Sequence, residues 1–155
     1  NPFSFSVLAR NIFNNDFDTI IFPFCLAMNE TSSIVTFKLG GMHAGSIKNE
    51  ITQEGQNKGD ISITTAAFSV DELFEVQGVS GVNHLKIDVD GLELEILRGA
   101  VKLLSNGVFK SVLVEDNLSN ETEKSELVSF FDELGFQQSD AWGQDETSNK
   151  IFIKK

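Results

Sequence analysis

Residues 85–100 read Leu85-Lys86-Ile87-Asp88-Val89-Asp90-Gly91-Leu92-Glu93-Leu94-Glu95-Ile96-Leu97-Arg98-Gly99-Ala100, and they decide the fold. Over the first five residues apolar and polar side chains alternate with a period of two, which is typical of a β-strand. Gly91 ends this alternation, and apolar residues then recur at helical spacing as far as Leu104. The stretch therefore predicts a strand, a tight turn and one helix, which ends near Asn106 and Gly107.

Carboxylates follow the predicted strand. Asp88 and Asp90 lie at its carboxyl end, and Glu93 lies in the first turn of the helix. In open α/β sheets, ligands bind in the crevice beyond the carboxyl ends of the strands. Asp88 could orient a ligand there or accept a proton as a general base. A structural role stays open, because Asp88 could pair with Lys86 or cap the helix, and an acidic residue in a first helical turn is favourable by itself.

The remaining sequence predicts further helices and strands in alternation. Asn1 is a typical N-cap with Pro2 at the first helical position, and the helix that follows ends near residues 14–16. The capping box at residues 69–72 starts a short helix. Strands are predicted at residues 19–27, 34–39, 61–65 and 111–115, a long polar loop at residues 40–60, a last helix that closes at Gly135, and a terminal antiparallel hairpin of residues 136–140 with 150–154.

This alternation predicts an α/β fold. Strands that alternate with helices usually form a mostly parallel sheet with helices on both faces. The terminal hairpin adds an antiparallel strand at the C-terminal end. We therefore expect residues 1–155 to form a single domain, with the strand at residues 85–89 in the centre of its sheet.

Composition narrows the classes of partner. The chain has 23 acidic and 12 basic residues, a formal net charge of -11, so it should repel nucleic acid and anionic membrane surfaces. A small-molecule or carbohydrate substrate fits that charge better, and self-association into a homo-oligomer stays open.

The longest apolar run, residues 19–28, is shorter than the roughly 20 residues that span a bilayer, so no membrane insertion is expected. The single cysteine, Cys25, excludes an internal disulfide, favours a cytoplasmic setting and is expected in the core.

Residues 86–93, followed by Leu97-Arg98-Gly99-Ala100, resemble the signature of the FkbM family of S-adenosylmethionine-dependent methyltransferases. The family pattern is roughly I-D-V-E-G-x-E, followed by K/R-G-A, and Asp90 stands where glutamate is usual. The resemblance implies a Rossmann-like methyltransferase sheet. It also implies transfer of a methyl group from S-adenosylmethionine to a hydroxyl, usually on a sugar, a glycolipid or a secondary metabolite.

The resemblance also suggests roles for individual residues. It implies that Asp88 is catalytic and lies near the transferred methyl group, with Glu115 at the end of the neighbouring strand. Two carboxylates in one cleft raise the pKa of one of them, which suits a base, or hold a divalent cation; Glu115 could instead pair with Lys86. Asp90 and Glu93 are candidates for substrate binding. His43 is a further candidate, because its Gly-rich loop could close on a substrate.

The cofactor contacts come from the resemblance alone. It implies that Asn1 and Pro2 flank the ribose and adenine of S-adenosylmethionine, that Ala27 and Met28 border the adenine, and that Asp88 also lies beside the cofactor. The family's first strand with its Gly-rich turn, and the acid that ends its second strand, have no counterpart in these 155 residues. We therefore expect an N-terminally truncated domain that binds the cofactor weakly. The alternative is a non-catalytic Rossmann-like module that binds a protein partner.

Overall fold

The computed structural model describes residues 1–45, 50–52, 61–89, 91–115, 121–139 and 149–155. The chain divides into two compact units, the first made of residues 1–27 and 32–68 and the second of residues 28–31 and 69–155. The described chain contains both helices and strands, interspersed along its length, so the predicted α/β class is confirmed. That all 155 residues form one domain stays a prediction.

The first sheet has four strands, and a helix precedes them in the chain. The helix α1 (Pro2–Asn14) precedes the strands β1 (Ala27–Met28), β2 (Ser33–Leu39), β3 (Glu50–Thr52) and β4 (Ile61–Phe68). The strand order is β1-β4-β2-β3, and β2 pairs antiparallel with both β3 and β4. The strand β3 lies inside the stretch that was predicted as a loop. Its three residues are too few for a pattern of alternation to be visible in the sequence.

The start of α1 agrees with its prediction. The Oδ1 atom of Asn1 accepts a hydrogen bond from the backbone N–H of Phe3 at 3.0 Å, and Pro2 takes the first helical position. Ile12 of this helix is buried. This capping places Asn1 and Pro2 at a defined helix end.

The predicted strand at residues 19–27 is wrong over most of its length. Only Ala27 and Met28 form a strand, and the preceding side chains of Ile20 and Phe22 are 69% and 71% exposed. Pro23 has no N–H to donate to a strand ladder, which explains why the regular structure starts only after it. Cys25 is exposed as well, so its predicted place in the core is wrong.

The second unit holds the central stretch of the sequence. Its elements are α2 (Val70–Gln77), β5 (His84–Ile87), α3 (Glu93–Arg98), α4 (Val101–Ser105), β6 (Ser111–Glu115), α5 (Glu121–Glu133), β7 (Phe136–Gln138) and β8 (Asn149–Lys154). The strand order is β5-β6-β8-β7. The parallel pair is β5–β6, whereas β8 is antiparallel to both β6 and β7. The predicted terminal hairpin is therefore confirmed.

Two predictions about the sheet are wrong. The described sheets are mixed rather than mostly parallel, and within the described residues β5 lies at the edge of its sheet rather than in the centre. The strands that precede β5 in the chain pair with one another in the first sheet. Strands joined by short connections usually become antiparallel neighbours, and this preference removed the parallel partners that β5 was expected to have.

The predicted single helix after Gly91 is also divided. The helices α3 and α4 are separated at Gly99 and Ala100. A Cβ atom on Gly99 would lie 2.6 Å from the carbonyl oxygen of Asn29 and 3.1 Å from that of Glu30. The backbone of residues 29–30 thus passes so close that only glycine fits, and the apolar pattern that continues through α4 concealed this break.

Replacing Gly99 with alanine is therefore expected to lower the free energy of unfolding by about 1–3 kcal/mol, the usual range for overpacking. Helix propensity alone predicts the opposite sign, because alanine is favoured over glycine by about 1 kcal/mol inside a helix. Urea unfolding followed by circular dichroism distinguishes the two. Ser105→Ala, on the exposed side of α4, is the control and should stay within about 0.5 kcal/mol of the wild type. A stabilised Gly99→Ala variant would contradict the close approach.

Candidate active site

The parallel pair β5–β6 brings two predicted carboxylates together. Ile87 of β5 lies opposite Val114 of β6, so the next residues along each strand, Asp88 and Glu115, follow at the same end of adjacent strands. The predicted adjacency of these two residues is confirmed. Their catalytic roles stay predictions.

Asp88 forms an ion pair with Lys86. The Nζ atom of Lys86 donates to Oδ2 of Asp88 at 2.5 Å, and the two side chains are 60% and 49% exposed. The hydrogen bond from Lys86, and after it a hydrogen bond from Glu115, lowers the pKa of Asp88. The pairing that the sequence left open as a structural role is thus present. Because Asp88 remains half exposed, it presents a carboxylate to solvent while Lys86 holds it.

The expected rise in pKa is not found at Asp88. The hydrogen bond and the positive charge of Lys86 lower the pKa of Asp88, the hydrogen bond with Glu115 lowers it further, and only desolvation opposes them. In turn, hydrogen bonding and attraction from Asp88, and then the charge of Glu115, raise the pKa of Lys86. Lys86 and Asp88 therefore stay charged together over the neutral range.

The raised pKa occurs at Glu93 instead. Its side chain is fully buried, with Oε1 accepting a hydrogen bond from the backbone N–H of Gly91 at 3.3 Å. Within the described residues, its Oε2 atom is buried without a hydrogen-bond partner. Burial raises the pKa of Glu93, the backbone N–H groups of Glu93 and Gly91 oppose that effect, and the charges of Glu115 and Glu95 add to it. A spacing of four and seven residues from Glu93 to Leu97 and Ala100 could have signalled this burial.

Sequence reasoning missed the role of Asp71. Its carboxylate accepts hydrogen bonds from the backbone N–H groups of Lys102 at 2.9 Å and Leu103 at 3.0 Å, so it caps the first turn of α4. The backbone N–H of Asp71 also donates to the carbonyl of Gly99 at 2.9 Å. The predicted capping box was a clue only to the start of α2, where Ser69 Oγ accepts from the Glu72 N–H. A contact across 31 residues leaves no local pattern in the sequence.

Removing this cap with Asp71→Ala is expected to cost about 0.5–2 kcal/mol of unfolding free energy, the range for a lost N-cap. The reason is that two backbone N–H groups of α4 lose their acceptor. Thermal and urea unfolding measure the effect. Glu133→Ala is a suitable control, because that side chain is an exposed acid at the end of α5. Equal stability of the two variants would show that water replaces the Asp71 carboxylate without loss.

The roles of the other two substrate candidates, His43 and Asp90, are not tested. His43 is exposed in the first unit, in the turn that follows β2. Asp90 lies outside the described residues. Both assignments stay predictions.

A pocket in the first unit collects most of the predicted cofactor residues. It has a volume of about 70 Å³ and is lined by Asn1, Pro2 and Ala27 together with Phe5, Phe24, Cys25, Leu26, Phe37, Ile63 and Thr65. Three aromatic rings dominate the lining, and Thr65 and Asn1 add polar atoms. Met28 belongs to the second unit, where it packs against the core.

Two absences hold for the described residues only. In these parts of the chain, no group of three or more histidine, cysteine, aspartate or glutamate side chains comes together in a way that could hold a metal ion. No helix found there has the length and apolar character needed to cross a membrane.

The fold is that of an α/β protein with a pair of strand-end carboxylates, and comparison with known families identifies its class. The sequence pattern of the methyltransferase FkbM domain matches residues 5–137. The match covers most of the chain, so the chain belongs to the FkbM methyltransferase family, and the resemblance noted at residues 86–100 is confirmed. No curated protein and no solved structure matches the chain.

Proposed function

We propose that this protein is an S-adenosylmethionine-dependent O-methyltransferase that acts on a hydroxyl group of a sugar, a glycolipid or a secondary metabolite. The observation that carries the proposal is the pair of carboxylates, Asp88 and Glu115, at the carboxyl ends of adjacent parallel strands within the family match. Ligands of such sheets bind at this end of the strands. The net charge of -11 favours a neutral acceptor over a polyanion.

In this proposal Asp88 orients the acceptor and takes its proton. Lys86 keeps the Asp88 carboxylate ionised, so one of its oxygens can accept a hydrogen bond from the acceptor hydroxyl. Bound S-adenosylmethionine supplies an electrophilic methyl group. As the hydroxyl oxygen becomes nucleophilic, its proton moves to Asp88, which becomes a neutral carboxyl group beside Glu115, and the demethylated cofactor would leave as S-adenosylhomocysteine. The lowered pKa makes Asp88 a modest base, so orientation is the larger part of its task.

The pocket of the first unit is the proposed contact for the adenine end of the cofactor. Aromatic side chains stack on planar bases, and Phe5, Phe24 and Phe37 supply three such rings. Asn1, Pro2 and Ala27, which the family resemblance assigned to this end of the cofactor, line the same pocket. This aromatic lining supports the assignment of the pocket to adenine.

Titration calorimetry with S-adenosylmethionine tests the pocket. Phe24 lines it at 45% exposure, so Phe24→Ala should remove a stacking surface without unfolding the unit and weaken binding about 5–150-fold. Phe22→Ala is the matched control, because Phe22 is 71% exposed and does not line the pocket. Equal affinity of the two variants would contradict the assignment of the pocket.

A methyl-transfer assay tests the reaction. The chain is incubated with a donor carrying a labelled methyl group and with a panel of sugars, glycolipids and hydroxylated secondary metabolites. We expect label on an acceptor oxygen. Absence of transfer to every acceptor, together with preserved cofactor binding, would favour the non-catalytic alternative.

A further inference from the structure

Glu93 combines two properties that are rarely found together in one carboxyl group. It is a carboxyl group with no exposed surface, and its Oε2 atom has no hydrogen-bond partner within the described residues. Buried polar atoms nearly always have a partner, because leaving one unsatisfied is unfavourable. An apolar side chain of the same length would avoid that cost. The sequence nevertheless places glutamate between Leu92 and Leu94.

The other oxygen of Glu93 explains what the carboxyl group does. Oε1 accepts a hydrogen bond from the N–H of Gly91 at 3.3 Å. Gly91 has a φ of +99°, a left-handed conformation that favours glycine, and it forms the turn between β5 and α3. Gly91 itself is exposed, so water competes for this N–H. The side chain of Glu93, fixed by burial, therefore anchors an exposed residue.

The Gly91 turn comes shortly after Asp88, the catalytic candidate, in the chain. Asp88 lies three residues before Gly91 in the chain, and Glu115 of the neighbouring strand acts electrostatically on both Asp88 and Glu93. A turn that shifts would move Asp88 relative to Glu115 and to the acceptor. Misplacement of a reacting group by about 1 Å can reduce a rate by about 10²-fold.

We propose that Glu93 is a positioning residue, whose buried carboxyl group anchors the Gly91 turn and thereby holds Asp88 in register with Glu115. The inference rests on the proposed function for its catalytic consequence, but not for the anchoring itself. In this proposal Glu93 supports the site from behind. The sequence had suggested that it contacts the substrate directly.

Three variants separate anchoring from packing. Glu93→Gln retains a carbonyl oxygen that can accept from the Gly91 N–H. Glu93→Met has a similar length and suits the buried surroundings, but it has no strong acceptor. Glu95→Met, two residues along on the same helix, is the matched control because Glu95 is only half buried. The measurements are the melting temperature, the kcat and KM for methyl transfer, and the hydrogen-exchange rate of the Gly91 amide.

We expect Glu93→Met to melt at or above the wild-type temperature while its kcat falls about 10²-fold with little change in KM. Glu93→Gln should rescue most of the kcat, and Glu95→Met should resemble the wild type. The Gly91 amide should exchange about 2–10-fold faster in Glu93→Met than in Glu93→Gln or the wild type, the ratio that one net hydrogen bond corresponds to.

Wild-type kcat in a folded Glu93→Met variant would overturn the proposal, and so would a loss of kcat in Glu93→Gln as large as that in Glu93→Met. If Glu93→Met does not fold, the exchange rate of Gly91 in Glu93→Gln decides, and unprotected exchange there would also overturn it. A wild-type chain that transfers no methyl group would refute the proposed function alone. The exchange rates would still show whether Glu93 anchors the turn.

Discussion

The variant Asp88→Asn is expected to reduce the kcat of methyl transfer by about 10²–10⁴-fold, with the value near the lower end of that range. Asparagine keeps the shape of the side chain but cannot take the hydroxyl proton. The lower end is expected because Lys86 lowers the pKa of Asp88, which weakens it as a proton acceptor. Both side chains are largely exposed, so the melting temperature should hardly change. Normal turnover in a folded Asp88→Asn variant would leave only the structural role.

The pH dependence of the rate provides an independent check. The reaction needs ionised Asp88, whose pKa Lys86 depresses, so the acid limb of the rate profile should lie below the ordinary range of an aspartate. In Lys86→Gln the positive charge is lost, and with it the charge-assisted character of the hydrogen bond to Asp88, so the acid limb should move to higher pH. Lys124→Gln is the matched control, because Lys124 pairs with Glu121 at the start of α5 instead. An acid limb that stays in place in Lys86→Gln would show that another group controls it.

The pair Asp88 and Glu115 was predictable because both residues end short alternating strands, and helical connections make such strands parallel. The place of β5 at the edge of its sheet was not predictable in this way. It depends on which strands pair with which, and β2, β3 and β4 pair with one another through contacts that leave no mark on residues 84–87. Local alternation determines that a strand forms, whereas its neighbours depend on the whole chain.

Burial and close approach were the other features that the sequence concealed. Glu93 was interpreted as an acid favoured in the first turn of a helix or as a substrate contact, and its full burial was not expected, because charged side chains are seldom fully buried. Gly99 was interpreted as part of a continuous helix, because the apolar spacing continues beyond it. For Gly99 the deciding contact is with a segment distant in sequence, residues 29–30. At Pro23 the relevant signal is local. Its missing N–H can be read from the sequence, yet the strand was predicted across it.

The largest expected loss of stability comes from Phe131→Ala, at about 3–5 kcal/mol of unfolding free energy. Phe131 is fully buried in α5, and its ring stacks on that of Phe152 with the centroids 3.9 Å apart and an angle of 13° between the planes. It also meets Phe136 edge to face at 5.5 Å. Alanine would leave a cavity bounded by these rings, which are held by the β7–β8 hairpin and cannot easily collapse.

Urea unfolding measures this loss, and Phe130→Ala is the matched control. Phe130 lies next to Phe131 on the same helix and is only half buried, so its truncation should cost clearly less. A loss below about 1 kcal/mol for Phe131→Ala would mean that the aromatic cluster repacks. The cluster also matters for the site, because Phe152 of β8 lies opposite Val112 of β6, the strand that ends in Glu115. Phe131→Ala removes the ring that stacks on Phe152 of β8, and β8 pairs with β6. The variant should therefore weaken methyl transfer at temperatures well below its melting point.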